Sequence, residues 1–182
     1  MIVGFDLGAT SGYAYIMRRD YNSATYPIST TSHIGEKVVF GTFVNRGTLP
    51  SRFSSLRDKV IKLHSHVEPI DIVYYEHLDF IVNLKASQAN AGYAGVIMAT
   101  FSDKIVRKLE VSKIKRLFTG RGGATKHSMK RAAERFTKKE VSSLDAADAI
   151  GTLYAGLKTI TTSERQVINT LLNNDSSSGN ND

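Results

Sequence analysis

Apolar positions along the chain follow two periods, and the switches between them predict the elements. "IVGFD" (2–6) and "GYAYIM" (12–17) are short apolar runs joined by "LGATS", with Gly8, Thr10 and Ser11, and the pair reads as a hairpin. After a polar, irregular stretch at 18–35, "KVVFGTFV" (37–44) predicts a third strand. Over 49–67, Phe53, Leu56, Val60, Leu63 and Val67 recur at helical spacing. "IDIVYYE" (70–76) is strongly β-prone and predicts a buried strand. Residues 84–108 predict a helix whose small residues, Ala89, Gly92 and Gly95 among them, permit close packing; Tyr93 and Met98 are read as core. "LEVSKIKRLF" (109–118) reads as a short strand and its exit, and "TGRGGA" as a loop. Thr125 is the expected cap of a helix over 125–136, and 143–160 is the last core helix. The order βββαβαβαα predicts an α/β fold, a mixed five-stranded sheet flanked by helices. We expect one domain over 1–162 and a polar tail over 163–182, whose end, "NNDSSSGNND", has the composition of a disordered segment.

Composition changes this picture little. A chain of 182 residues, 41% hydrophobic and 23% charged, is long enough to bury a core. With no cysteine there is neither a disulfide framework nor a thiolate metal site, in keeping with a reducing compartment. No apolar run approaches the ~18 residues of a membrane span. The start, "MIVGFDLG", lacks the basic and apolar regions of a secretion signal.

Charge changes it more. The net charge is +7. Residues 104–139 alone carry thirteen Lys and Arg against two acids, Glu110 and Glu134, so the remainder of the chain is net acidic. Such polarity steers a polyanion to one side, and nucleic acid is the commonest polyanion. The plain alternative is a solvated basic helix face.

Four acids complete the picture. Asp6 closes the first strand and Glu76 ends the fourth, where a carboxylate is costly to bury unless paired or bound to metal. In "SSLDAADAI" (142–150), Asp145 and Asp148 stand three residues apart on one helix face with no basic residue beside them. If strands one and four are neighbours, Asp6 and Glu76 lie side by side, and the last helix can lay Asp145 and Asp148 across them. Four carboxylates make an oxygen-only site suited to Mg²⁺ or Mn²⁺. Two such ions about 4 Å apart can activate a water and stabilise a leaving oxygen of a phosphodiester. Singly, Asp6 also fits a turn residue bonded to local amides, Asp145 a helix cap, and Asp148 a solvent-facing acid.

Taken together, these residues resemble the RuvC-type Holliday junction resolvases. "IVGFDLGATSGYAY" is similar to the opening of that family: an apolar strand, Asp, Gly two residues on, then T-G-[YF]. "IKRLFTGRGGATKHSM" (114–129) resembles its segment with two spaced lysines, here Lys115 and Lys126, and "DAADAI" its closing motif. A glutamate followed by a glycine-containing helix ("AGYAGVIM") completes the set, which covers roughly residues 1–160. The resemblance implies an RNase H-like fold and a crossover junction endodeoxyribonuclease that cuts four-way DNA as a homodimer. It implies two Mg²⁺ per active site, with Mn²⁺ able to substitute, held by Asp6, Glu76, Asp145 and Asp148. It places Lys126 at the scissile phosphate and Lys115 on DNA; Arg116 and Arg121 are expected to share DNA binding. It implies a cytoplasmic enzyme, in a bacterium or, if phage-encoded, in its host.

The chain also departs from the family. The aromatic that wedges a junction stands three residues after the glutamate; here that position is Asp79, and Phe80 follows, so Phe80 either wedges from a shifted loop or is core. The segment 18–35 and the tail have no counterpart, which points to a viral or distant member acting on a wider range of branched DNA. Two other classes compete: a non-catalytic branched-nucleic-acid binder, and a fragment of a sugar kinase or actin-like ATPase, whose phosphate hairpin "GFDLGATSG" also resembles. The first leaves four acids beside a basic segment without a role; the second needs a second Gly-rich motif that the chain lacks. His64, His66 and His77 are too separated for a metal site and suit the surface or local hydrogen bonds; His127 adjoins Lys126 within reach of a phosphate.

Overall fold

Alternate residues of the central strands face different helices, and this parity decides which way the side chains at the strand ends point. The computed structural model describes residues 1–17, 20, 33–66, 70–77 and 83–177. Strands β1 (Ile2–Asp6), β2 (Thr10–Ile16), β3 (Val39–Val44), β4 (Ile72–His77) and β5 (Ile105–Glu110) form one sheet in the order β3-β2-β1-β4-β5. β2 runs antiparallel to β1 and β3, and β4 runs parallel to β1 and β5. Ile2, Ala14, Ile16, Ile72 and Tyr74 pack with Ile114, Met129 and Leu153 from α3 (Val111–Thr119), α4 (Lys126–Thr137) and α5 (Leu144–Lys158). Val3, Phe5, Tyr15, Val73 and Tyr75 form a second core with Leu56 and Val60 of α1 (Leu49–His66) and Tyr93 and Ile97 of α2 (Leu84–Thr100). The result is the expected mixed five-stranded α/β sheet with helices on both faces. A short 3-10 helix, His33–Lys37, leads into β3. Among the described residues no helix is long and apolar enough to cross a membrane.

Four expectations need correction. The helix predicted over 84–108 stops at Thr100, and 105–110 is instead the last strand. Ile105 and Val106 pair with Ile72 and Val73 of the buried strand β4, and that open parallel edge overrides the weak helical pattern. "VSKIKRLFT", read as the exit of a strand, is helix α3; Val111, Ile114 and Phe118 already show i, i+3, i+7 spacing, and Ile114 is fully buried. Within the expected tail, α6 (Thr162–Ser177) forms. Its start is a capping box: the Glu164 backbone N–H donates to Thr161 Oγ1 (3.3 Å), and the Thr161 N–H donates to Glu164 Oε2 (2.6 Å). Buried Glu164 also accepts from Arg107 of β5 at 3.0 Å, and Ile168 enters the core. Met98, read as core, is half exposed, whereas Tyr93 is buried.

Helix α5 lies against the sheet with no side chain between them at two points. A Cβ on Gly4 would stand 2.5 Å from the Leu153 amide nitrogen, and one on Gly12 would overlap the Asp145 carbonyl. Gly12 is the β2 partner of Asp6, so this contact seats the first turn of α5 beside the end of β1. Backbone cannot move aside as a flexible side chain can. Gly12→Ala is therefore expected to cost roughly 1–3 kcal/mol, the range for overpacking. At about 2–4 °C per kcal/mol for a chain of this size, thermal denaturation should show the loss directly; an unchanged Tm would mean that α5 is not seated on this glycine.

Candidate active site

Parallel pairing brings the first two acids together. β1 and β4 run in register from Ile2 opposite Ile72 to Phe5 opposite Tyr75. The next residues, Asp6 and Glu76, thus leave the sheet side by side at the carboxyl ends of two adjacent parallel strands, the usual place for a site in such sheets. Both share the parity of the residues that face α5. That helix begins where Ser143 Oγ accepts from the amides of Asp145 (3.2 Å) and Ala146 (3.4 Å). Ser143 is therefore the cap, and Asp145 is free to project from the first turn with Asp148 one turn further on. Asp148 is only 8% exposed, so it is not a solvated surface acid.

Nor does Asp6 hold its own turn. Ser11 does so, accepting from the Gly8 N–H at 3.1 Å and donating to the Gly8 carbonyl at 3.0 Å. Asn45, buried after β3, donates to the same carbonyl (3.0 Å) and to Ser11 Oγ (3.1 Å). This network fixes the loop behind Asp6, and sequence reasoning missed it because Asn45 is distant in the chain.

Three of the acids, Asp6, Glu76 and Asp148, are raised by burial and by neighbouring carboxylates. Asp6 is pushed well above the usual aspartate range by burial first, then by Glu76, Asp148 and Asp145, with Lys126 opposing. Glu76 is pushed up to about 7 by burial and by Asp148, against Lys115 and Lys126. Asp148 is raised by burial, a shift moderated by Lys126 and Lys115 and reinforced by Asp145. Lys126 Nζ stands 3.9 Å from Asp148 Oδ2, while its side chain remains 60% exposed. Acids from three elements and lysines from α3 and α4 thus meet at one end of the sheet.

The donor set, all oxygen and short of compensating charge, fits hard divalent cations. Among the described residues, however, no three acid or imidazole side chains are gathered tightly enough to grip an ion. Like charges stand apart until a cation draws them in. The narrow cleft beside Asp6 and Glu76 is completed by Leu7, His77, Asn90 and Ala94. Asn90 carries no signal in the sequence, and His77, which directly follows Glu76, lines the same cleft. His64 behaves as expected, its Nδ1 accepting from the Ile70 N–H at 2.9 Å.

The basic segment divides in space. Lys115 and Lys126 belong to the acid cluster. Arg116 is exposed on α3, and Arg121 lies in the loop between α3 and α4. Others serve the fold: Arg107 pairs with Glu164, Lys130 with Glu134 (3.8 Å), and Lys139 Nζ donates to the Val38 carbonyl (2.8 Å). Phe80 lies outside the described residues.

The raised acids predict a pH dependence. Unfolded, Glu76 titrates near 4.5; folded, near 7. Between these values the folded state keeps a proton that the unfolded state has released, so stability is lost as pH rises through the window. Asp6 and Asp148 act in the same direction. In chelator, Tm is expected to fall from pH 5 to pH 8; a flat or rising profile would contradict the cluster.

The sheet order and the flanking helices make an RNase H-like α/β fold. Solved structures share this fold, two of them from one organism. Thermus thermophilus RuvC matches with a TM-score of 0.61 at 13% identity, over 85% of this chain and 91% of that one. T. thermophilus RuvC in complex with Holliday junction substrate matches with a TM-score of 0.63 at 12% identity, over 85% and 90%. No protein-family model and no curated protein matches the chain. At such identities the likeness establishes the fold, which is RuvC-like.

Proposed function

We propose that the chain is a metal-dependent endodeoxyribonuclease that cuts branched DNA, four-way junctions above all, by phosphodiester hydrolysis. The observation that carries this reading is the meeting of Asp6, Glu76, Asp145 and Asp148 with Lys115 and Lys126 at the carboxyl end of β1 and β4. The four carboxylates would hold two Mg²⁺, or Mn²⁺ in their place, which when bound supply Lewis acidity and a water acidic enough to attack at neutral pH. With those charges balanced, the acids attract a phosphate backbone that they otherwise repel. Lys115 and Lys126 bind and orient the phosphate, and Arg116 and Arg121 hold DNA further out. RuvC, with the same fold, has been solved with a Holliday junction substrate, which favours a four-way junction as the ligand here. By the same analogy the working unit is a homodimer. We assign 1–162 to the nuclease domain, with α6 appended to it.

A second reading, a branched-DNA binder without chemistry, is favoured by the loose spacing of the acids. One assay separates the two. The protein is incubated with Mg²⁺ and a labelled synthetic four-way junction, beside duplex, single-strand and flap controls. Symmetric nicks confined to branched substrates support the nuclease; tight binding with no product supports the binder. Divalent cation should also reverse the loss of stability at pH 8 in chelator, because binding to the folded state alone stabilises it. Ca²⁺ that leaves Tm unchanged would argue against a metal site.

A further inference from the structure

The face of α4 that points away from the acid cluster carries a second, separate basic site. At about 100° per residue, Ser128, Arg131 and Arg135 lie together, roughly opposite Lys126 on the helix. With Arg121, Thr119 and Thr125 they line a groove of about 400 Å³ between the end of α3 and the start of α4. It shares no residue with the cleft at Asp6 and Glu76.

Its charges are not balanced by the protein. Lys126 and Lys130 on the same helix each stand against an acid, Asp148 and Glu134. Arg107 is neutralised by Glu164. Among the described residues, none of the guanidinium groups of Arg121, Arg131 and Arg135 forms an ion pair, and no Asp or Glu lines the groove. The hydroxyls there are already engaged: Thr125 Oγ1 lies 3.1 Å from Ser128 Oγ, and Thr119 Oγ1 donates to the Lys115 carbonyl at 2.8 Å. The charged donors left over are those of three exposed arginines.

Like charges collected in a concavity repel unless an anion joins them. The planar, forked guanidinium matches a phosphate with two parallel hydrogen bonds, and three forks around one groove suit a tetrahedral dianion-like or diester group far better than a carboxylate side chain. The site lies across the width of α4 from Lys126, about 10 Å. A phosphate seated there cannot be the one that meets the acids.

We propose that the groove of Arg121, Arg131 and Arg135 binds a backbone phosphodiester of the same DNA at a point away from the cut, so that α4 is straddled by two phosphates. The inference rests on the reading of the protein as a DNA-binding nuclease, but not on cleavage. It assigns α4 two jobs on two faces: Lys126 toward the acids and the arginine pair toward a second stretch of backbone.

The test measures junction binding in Ca²⁺ by fluorescence anisotropy across a salt series, for wild type, Arg131→Ala/Arg135→Ala and Arg131→Lys/Arg135→Lys. Each phosphate neutralised contributes about −0.9 to the slope of log affinity against log salt. The alanine pair is expected to flatten the slope by about one phosphate and to weaken binding about tenfold or more near 0.1 M salt. The lysine pair should keep the slope but lose affinity several-fold, because charge remains and the fork is gone. Both variants replace exposed side chains, and their Tm should match wild type. An unchanged slope in the alanine pair overturns the inference, as does protection of wild type by inorganic phosphate with no change in its variants' DNA affinity, which would mark a free-anion site. Wild type that binds the junction but never cuts it sinks the nuclease reading and leaves the groove to be judged on its slopes; wild type that binds no DNA sinks both.

Discussion

Replacing any one of Asp6, Glu76, Asp145 or Asp148 by its amide is expected to abolish cleavage of a four-way junction and to spare binding. Each amide keeps the shape of the acid and removes a charge that a divalent cation needs. A metal that polarises a phosphoryl oxygen and acidifies water is worth several kcal/mol of transition-state stabilisation. At 1.36 kcal/mol per decade, losing it lowers the single-turnover rate by about a thousandfold or more. Affinity measured without divalent cation should hold or rise, since one repulsive charge near the phosphate is gone. Stability provides an independent readout. Asp6 and Glu76 are strained by burial and by their neighbours, so Asp6→Asn and Glu76→Gln should raise Tm at pH 8 in chelator while ending activity. A Glu76→Gln or Asp145→Asn protein that cuts at a normal rate would remove the site proposed here.

Much of this cluster is legible in the sequence. Apolar runs that end in Asp6 and Glu76 mark strand ends where acids are expensive, and the i, i+3 pair in "DAADAI" marks a helix face. Only the parallel register from Ile2–Ile72 to Phe5–Tyr75 makes the two strands neighbours. Other features depend on contacts between distant segments and leave no local signal. Gly12 reads as a β-hairpin residue, yet its lack of a side chain is what admits the Asp145 turn. Asn45 reads as a polar loop residue, yet it secures the loop behind Asp6. Some local signals are outweighed: the T-x-x-E box at Thr161 sits in a tail of polar composition, and the stretch 101–118 mixes strand and helix periods so that its boundaries do not show in the sequence. The dense basic run behaved differently again. Its density reports net charge, but only the fold shows that Arg107 serves α6, Lys126 the acids and Arg131 a groove on the opposite face.

Lys126 is where these two halves of the site meet, and Lys126→Ala is expected to slow the chemical step far more than it weakens binding. The residue opens α4 directly after the Thr125 cap, whose Oγ1 accepts from the Ser128 N–H at 3.2 Å. It follows the "GRGG" loop, where Gly120 adopts φ 83° as the cap of α3. Its ammonium lies 3.9 Å from Asp148 on one side and faces solvent on the other. A phosphate drawn to Asp148 comes within reach of that ammonium's charge. Only interactions that strengthen in the transition state raise the rate, and charge builds on the phosphoryl oxygens and the leaving oxygen as the ester breaks. An ammonium in place can stabilise that charge or deliver a proton. Loss of one such group costs about a hundredfold or more, or ~2.7 kcal/mol. The competing account makes Lys126 one more phosphate anchor. It predicts weaker binding and full recovery when protein is in excess. Single-turnover rates at saturating Lys126→Ala protein decide between them: a rate that stays about a hundredfold low while affinity falls little supports action on the transition state, and a wild-type rate at saturation reduces Lys126 to an anchor.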